Sequence, residues 1–212
     1  MKQRQPGSAD TVIVLDFETS GLSPDRGDRT IEVGAVRVEA GKITERFQSL
    51  MNPGIRVSGF IENYTGITNR MLHAAPPCKT VMARLADFIA DHDLVAHNAA
   101  FDQRFLDAEC QRIRRCYAGA FACSMLAARR VYPDAPSHKL ATLMTFNQLP
   151  TSGTFHRALA DAEMTAHLWL GMLNDIREQY RIRHIPFSLM QALTRVPKAA
   201  AGRFLKQCES GA

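Results

Sequence analysis

Val12-Ile13-Val14-Leu15-Asp16-Phe17-Glu18-Thr19-Ser20-Gly21-Leu22 is the stretch on which the reading turns. Residues 11–17 are strongly β-forming and read as a buried central strand. Side chains at i and i+2 of a strand share a face, so Asp16 and Glu18 stand side by side where an apolar run ends. Two carboxylates that close repel each other, and one pKa rises unless a cation lies between them. A bare Asp-x-Glu also fits a strand that ends in a solvated acidic turn. What lies downstream decides between that and a metal or proton-transfer site.

The chain has 212 residues, room for one domain with an appendage and for a core that needs no disulfide staples. Hydrophobic and charged contents of 46% and 22% are ordinary for a soluble globular protein. The net charge of +5 suits a polyanionic partner without requiring one. Five cysteines, an odd number without a Cys-x-x-Cys pair, argue against a zinc site and a secreted disulfide framework. Reduced thiols in a cytoplasmic protein are the simpler account. The first apolar run is too short for a signal peptide, and no stretch is long enough to span a bilayer, so no membrane partner is expected.

Outward from the first strand, residues 1–10 read as a loose polar tail. Residues 30–39 alternate around Ile31, Val33 and Ala35, Gly41 breaks the run, and residues 43–51 follow, which predicts two strands joined by a tight hairpin. A loop with Phe60, Tyr64 and Gly66 comes next. Helices are predicted over 80–90, 101–113 and 139–146, the last with Ser137 as N-cap, and one long helix over 157–180. Short strands are predicted over 93–97 and 120–124, the second followed by a helix to Val131. After Arg181 the composition changes, and residues 188–206 read as one or two short helices broken at Pro197. The order implies an α/β fold, a mixed five-stranded sheet with helices on both faces. It divides the chain into a tail (1–10), a main domain (11–180) and a C-terminal helical extension (181–212).

Three acidic clusters stand far apart in the chain. Besides Asp16 and Glu18 there are His97-Asn98-Ala99-Ala100-Phe101-Asp102, where a strand gives way to a helix, and His156-Arg157-Ala158-Leu159-Ala160-Asp161-Ala162, where a loop enters the long helix. Asp161 sits in a small, apolar stretch, an odd place for a solvated acid. Ala158 and Ala162 beside it would let the helix lie close to a sheet. Singly, each residue has an ordinary reading: Asp102 as an acid favoured by the helix dipole, His156 as a capping histidine, Phe101 as core.

Taken in order, these pieces resemble the DnaQ-like 3′→5′ exonucleases of the DEDD superfamily, in the variant marked by a histidine five residues before the last aspartate. The resemblance covers about residues 11–180. Gly66-Ile67-Thr68 and His138-Lys139-Leu140 are similar to further, less diagnostic family features. It implies a ribonuclease H-like fold, with Asp16, Glu18, Asp102 and Asp161 as ligands of two divalent cations, Mg2+ or Mn2+, and Asp16 as the bridging one. Hard oxygen donors favour those metals over zinc. His156 would take the proton from the attacking water, a task a neutral imidazole performs near pH 7. Leu22 and Phe101 would press on the terminal nucleotide, and Thr19 and Asn98 would orient it. The 3′→5′ direction comes wholly from the resemblance.

The implied reaction is hydrolysis at a free 3′ end of single-stranded or frayed DNA, releasing nucleoside 5′-monophosphates. A rival within the superfamily is an RNA-trimming enzyme. A rival of another class is a proofreading or interaction subunit of a DNA polymerase, tethered through residues 188–206. A DNA polymerase or a second copy of the chain is the protein partner implied. Arginine clusters at 112, 114 and 115, at 129 and 130, and at 177, 181 and 183 offer tracks for a phosphate backbone or simply solvated helix faces.

Overall fold

The computed structural model describes residues 7–150 and 157–209. Among them, β1 (Val12–Thr19), β2 (Thr30–Glu39), β3 (Lys42–Leu50), β4 (Asp93–Ala96) and β5 (Phe121–Cys123) form one mixed sheet in the order β3-β2-β1-β4-β5. β1 to β3 are an antiparallel meander, and β4 and β5 run parallel to β1. The β2–β3 hairpin turns at Ala40 and Gly41, both at positive φ, where a left-handed two-residue turn matches the twist of the strands.

The sheet has two covered faces. Ile13, Leu15, Phe17, Val33 and Ala35 pack beneath α3 (Cys78–Ile89) and α4 (Ala99–Arg112) through Val81, Leu85, Ile89, Phe105 and Leu106. Val12, Val14, Val36 and Val38 point the other way. They pack against α5 (Ser124–Val131), α6 (Leu140–Phe146) and α7 (Ala158–Tyr180), with Trp169 fully buried at the centre. Period-two alternation therefore assigns Asp16 and Glu18 to the α7 side of the sheet, in line with Val12 and Val14.

The segment expected as a loop around Phe60 is helical instead: α1 (Gly59–Thr65) and α2 (Asn69–Ala74). Ser58 caps α1 by accepting from Ile61 N–H, Thr68 caps α2 by accepting from Met71 N–H, and Gly66 ends α1 at φ 72°. A small separate core of Ile31, Val57, Ile67 and Leu72 holds this pair to the end of the sheet. A second difference concerns α6, where Lys139, not Ser137, is the capping residue. The Ser137 hydroxyl donates to Thr142 Oγ1 at 2.9 Å and accepts from Lys139 N–H at 3.5 Å, one residue ahead of the helix.

α8 (Phe187–Arg195) and α9 (Ala201–Glu209) follow a turn at Arg181. Ile182, Ile185, Phe187, Met190, Leu193 and Leu205 are buried in the same core as Trp169. Ala9, within the stretch read as tail, is also buried there. Its N–H donates to the Ile185 carbonyl at 2.9 Å and its carbonyl accepts from Trp169 Nε1 at 2.7 Å. Gln191 Nε2 donates to the Phe121 carbonyl, so α8 covers the open edge of β5. Among the described residues no helix is long and apolar enough to cross a membrane.

Candidate active site

Where the apolar stripe of β1 runs out, its α7-facing positions become Asp16 and Glu18. Opposite them on β2 the register places Gly34 beside Asp16 and Glu32 beside Glu18. All four face the start of α7, which lies against the sheet so closely that a β-carbon on Gly34 would stand 2.1 Å from the Ala158 carbonyl carbon. Only glycine leaves room for that approach. As a result Asp161, in the first turn of α7, comes down over β1. Carboxylate oxygens of Asp16, Glu18 and Asp161 lie within 4.8 Å of one another.

Asp102 reaches the same end of β1 from the opposite face. β4 pairs with β1 only as far as Val14, so the later part of β1 has no strand on that side. Asp102, buried in the first turn of α4, fills the gap by accepting from Phe17 N–H at 3.2 Å. It stands beside the trio but is not one of the three residues whose oxygens converge.

The charges are concentrated and poorly solvated. Burial pushes Asp16 well above the usual carboxylate range, and Asp102, Asp161, Glu18 and Glu32 raise it further. Glu18 is pushed up to about 8 by burial and by Asp161, Glu32 and Asp102, against an opposing pull from Arg157. Burial lifts Asp102 to about 7, although its bond from Phe17 N–H works the other way. A site that holds three acids in this state, with Asp161 beside them, is short of positive charge.

One cation is already committed elsewhere. Glu32, fully buried, takes Arg157 Nη2 at 2.8 Å and Arg157 Nε at 3.1 Å, accepts from Ala158 N–H at 3.2 Å, and is steadied by Gln48 Nε2 at 3.0 Å. This clamp fixes the entry of α7 to β2, and with it the height of Asp161. Sequence reasoning missed Glu32, Arg157 and Gly34. His156, the residue before the clamp, lies outside the described residues.

Beside the carboxylates opens a cavity of about 710 Å³ lined by Glu18, Thr19, Leu22, Phe60, Tyr64 and Phe101, among others. Leu22, Phe60 and Tyr64 are among the most exposed large apolar side chains described, at 78%, 72% and 51%. Phe60 and Tyr64 stack at 5.9 Å, one helical turn apart on α1. Burial and the charges of Glu18, Asp161 and Asp16 raise the Tyr64 phenol, which lines the same cavity as Glu18. Thr19 Oγ1 donates to the Gly21 carbonyl at 2.6 Å and shapes the loop that holds out Leu22. Phe101 packs on Phe105 at 5.0 Å and closes the other wall. Asn98, at φ 77° where β4 turns into α4, does not line this cavity. It borders a smaller one of about 240 Å³ with Phe121 and Gln191. Behind it, burial pushes His97 down to about 4. The neutral ring donates from Nε2 to the His138 carbonyl at 2.9 Å and meets Ser124 Oγ through Nδ1 at 2.9 Å, joining the His138 loop to the end of β4.

A mixed sheet whose first strand offers two acids to a third on a covering helix is the architecture of ribonuclease H-like exonucleases. The family model described as exonuclease, RNase_T, matches residues 13–169. The DNA polymerase III subunit epsilon of Aquifex aeolicus is 32% identical over 173 residues, covering 81% of this chain and 85% of that one. The PolC-type DNA polymerase III of Caldanaerobacter subterraneus subsp. tengcongensis is 34% identical over 166 residues. There the chain spans only 12% of its relative's length. Among solved structures, Exonuclease X in complex with 5′ overhanging duplex DNA superposes with a TM-score of 0.64 at 28% identity, covering 77% of this chain and 91% of that one. The chain belongs to the RNase_T exonuclease family, as a DnaQ-like member of the DEDD superfamily.

Proposed function

We propose that the protein is a metal-dependent 3′→5′ exonuclease acting on the 3′ end of single-stranded or frayed DNA. The observation that carries this reading is the convergence of Asp16, Glu18 and Asp161 within 4.8 Å at the mouth of a cavity walled by apolar side chains. The residues suit hard divalent cations: every donor is a carboxylate oxygen, and the raised pKa values mark a deficit of positive charge. Asp16, Glu18 and Asp161 would hold Mg2+ or Mn2+, with Asp102 as the fourth acid and Asp16 shared between two ions. When bound, such a pair stabilises the attacking and leaving oxygens of an in-line displacement at phosphorus.

The chain's own groups do the rest. Leu22 and Phe101 grip the terminal nucleotide from two sides and Thr19, in the same cavity, orients it, while the same role for Asn98, which lines the smaller cavity, rests on the family resemblance alone. His156 accepts a proton from the water that attacks phosphorus. The P–O3′ bond then breaks with its electron pair staying on O3′, which takes a proton from solvent to become the new 3′-hydroxyl, and a nucleoside 5′-monophosphate leaves. An unpaired end is required because a paired terminal base cannot enter between Leu22 and Phe101. The likeness to an epsilon subunit supports a DNA polymerase as partner, with self-association as the alternative. Five cysteines without a disulfide support a reducing, cytoplasmic setting.

The deciding experiment is digestion of matched 5′-labelled DNA and RNA oligonucleotides with Mg2+, Mn2+ or chelator. A descending ladder on DNA, only when metal is present, is expected. A ladder on RNA alone reassigns the substrate, and digestion in chelator removes the metal.

A further inference from the structure

The arginine clusters evident in the sequence are largely committed within the fold. Arg112 pairs with Glu109 at 3.4 Å, Arg115 with Asp87, and Arg177 with Asp10 at 2.6 Å. Arg130 donates to the Val196 and Leu126 carbonyls. A different set stands free. Arg56, Arg70 and His73 line one groove of about 580 Å³ together with Asn52, Asn69 and Ile55. All three cationic or titratable side chains are exposed, no acid lines the groove, and among the described residues neither arginine has a hydrogen-bond or ion-pair partner. Glu62, the acid of this segment, is held by Asn69 N–H and Nδ2 at 2.5 and 2.9 Å.

The position of the groove gives it meaning. Its lining includes Arg56, two residues before Ser58, which lines the active-site cavity. Val57, between them, is buried in the small core that also holds Leu72, so both concavities are built on the same α1–α2 unit. Phe60 and Tyr64, stacked on α1, line the active-site cavity, while Arg70 of α2 and Arg56 just before α1 supply two uncommitted guanidinium groups to the groove. An aromatic platform followed by a basic groove is the arrangement that holds a single strand, by stacking on bases and charge on the backbone.

We propose that the Arg56–Arg70 groove binds the phosphodiester backbone of the substrate strand on the 5′ side of the nucleotides held in the active-site cavity. This deepens the exonuclease reading and rests on it. The test is fluorescence anisotropy with a 5′-labelled single strand of roughly twenty nucleotides, its 3′-terminal linkage a phosphorothioate, in Mn2+ at salt from about 50 to 300 mM. The wild type, Arg56→Ala/Arg70→Ala and a control, Arg181→Ala/Arg183→Ala, are compared. Loss of two phosphate contacts should weaken binding about tenfold and flatten the log–log salt slope by about 1.4, with the control within about twofold of wild type. The advantage of the long strand over one of about four nucleotides should shrink in the groove variant alone. An unchanged affinity and slope in Arg56→Ala/Arg70→Ala, or an equal loss in the control, overturns the assignment. Failure of the nuclease reading is seen separately, as no metal-dependent digestion of the unmodified strand by wild type.

Discussion

Gly34 and Ala158 meet backbone to backbone, with no space between them for a side chain. A β-carbon built on Gly34 falls 2.1 Å from both the Ala158 carbonyl carbon and the Leu159 nitrogen. Because Gly34 is the register partner of Asp16, this contact sets how near Asp161 comes to the β1 acids. Gly34→Ala must therefore lift the first turn of α7. Misplacement of a reacting group by about 1 Å costs on the order of 100-fold in rate, and that is the loss expected here. The thermal stabilisation by Mn2+ should shrink in parallel. A variant with wild-type activity would mean that α7 is not seated by this contact.

The Glu32–Arg157 clamp predicts a non-additive pair. Removing Arg157 leaves Glu32 buried without its cation, whereas breaking a buried pair from one side costs about 3–5 kcal/mol in general. Arg157 is partly exposed, which places the cost toward the lower end. Arg157→Ala should destabilise the protein more than Glu32→Gln/Arg157→Ala does, since the second change removes the stranded charge. Denaturant unfolding of the two singles and the double measures the coupling. Additive effects would show that the pair does not act as a unit.

The raised carboxylates fix the direction of a pH effect. Glu18 has an ordinary value of 4.5 and is lifted to about 8, and Asp102 rises from 3.8 to about 7. The folded state thus holds protons that the unfolded chain has already lost. The stability these groups contribute is complete below about pH 4 and disappears as pH rises through 7 and 8. In chelator, Tm should fall across that window. Divalent ions require the ionised carboxylates, so the Tm gained on adding Mn2+ should grow with pH and binding should release protons. Thermal scans from about pH 5 to 9, with and without Mn2+, check both signs. A chelated protein that becomes more stable with rising pH contradicts the assignment.

Asp102→Asn separates charge from architecture. The amide oxygen can still accept from Phe17 N–H, so the end of β1 stays satisfied. Removing a buried acid that is hard to ionise should leave the metal-free Tm equal or slightly higher. Activity should nevertheless fall by about two orders of magnitude or more if this acid is needed to balance charge in the reaction. Retention of full activity would remove Asp102 from the ligand set, consistent with its place outside the converging trio.

β1 and β2 were legible because their apolar runs are long and their breaks sharp. Residues 30–39 are the bounds of β2 itself, and Gly41 marks a turn that needs positive φ. α1 and α2 were not legible as helices because each is short and buries a single residue, Thr65 or Leu72, which makes no stripe, whereas the equally short α6 is mostly apolar. Their caps, Ser58 and Thr68, and the terminating Gly66 were the available signals. At the site, Asp16, Glu18 and Asp161 could be read from alternation and from the small residues around Asp161. Glu32 and Gly34 could not, since each looks like an ordinary position of an alternating strand. Their meaning comes from contacts with Arg157 and Ala158, which for Glu32 lie 125 and 126 positions away.

The C-terminal segment predicts a structural outcome rather than the release of a partner. Ile182, Ile185, Phe187, Met190, Leu193 and Leu205 are all buried in the core around Trp169. At about 1.5–3 kcal/mol for each large apolar side chain, their burial rivals the whole net stability of a typical domain, about 5–15 kcal/mol. Ending the chain after Arg181 would also strip Ala9 N–H of its Ile185 acceptor and uncover the edge of β5. The truncated chain should be insoluble or unfolded by circular dichroism. Phe187→Ala alone should cost about 3–5 kcal/mol. A free tether would behave otherwise: its deletion would leave Tm untouched while a polymerase was lost from the complex. If the truncated chain melts cooperatively at the wild-type temperature, α8 and α9 are not part of the catalytic domain's core.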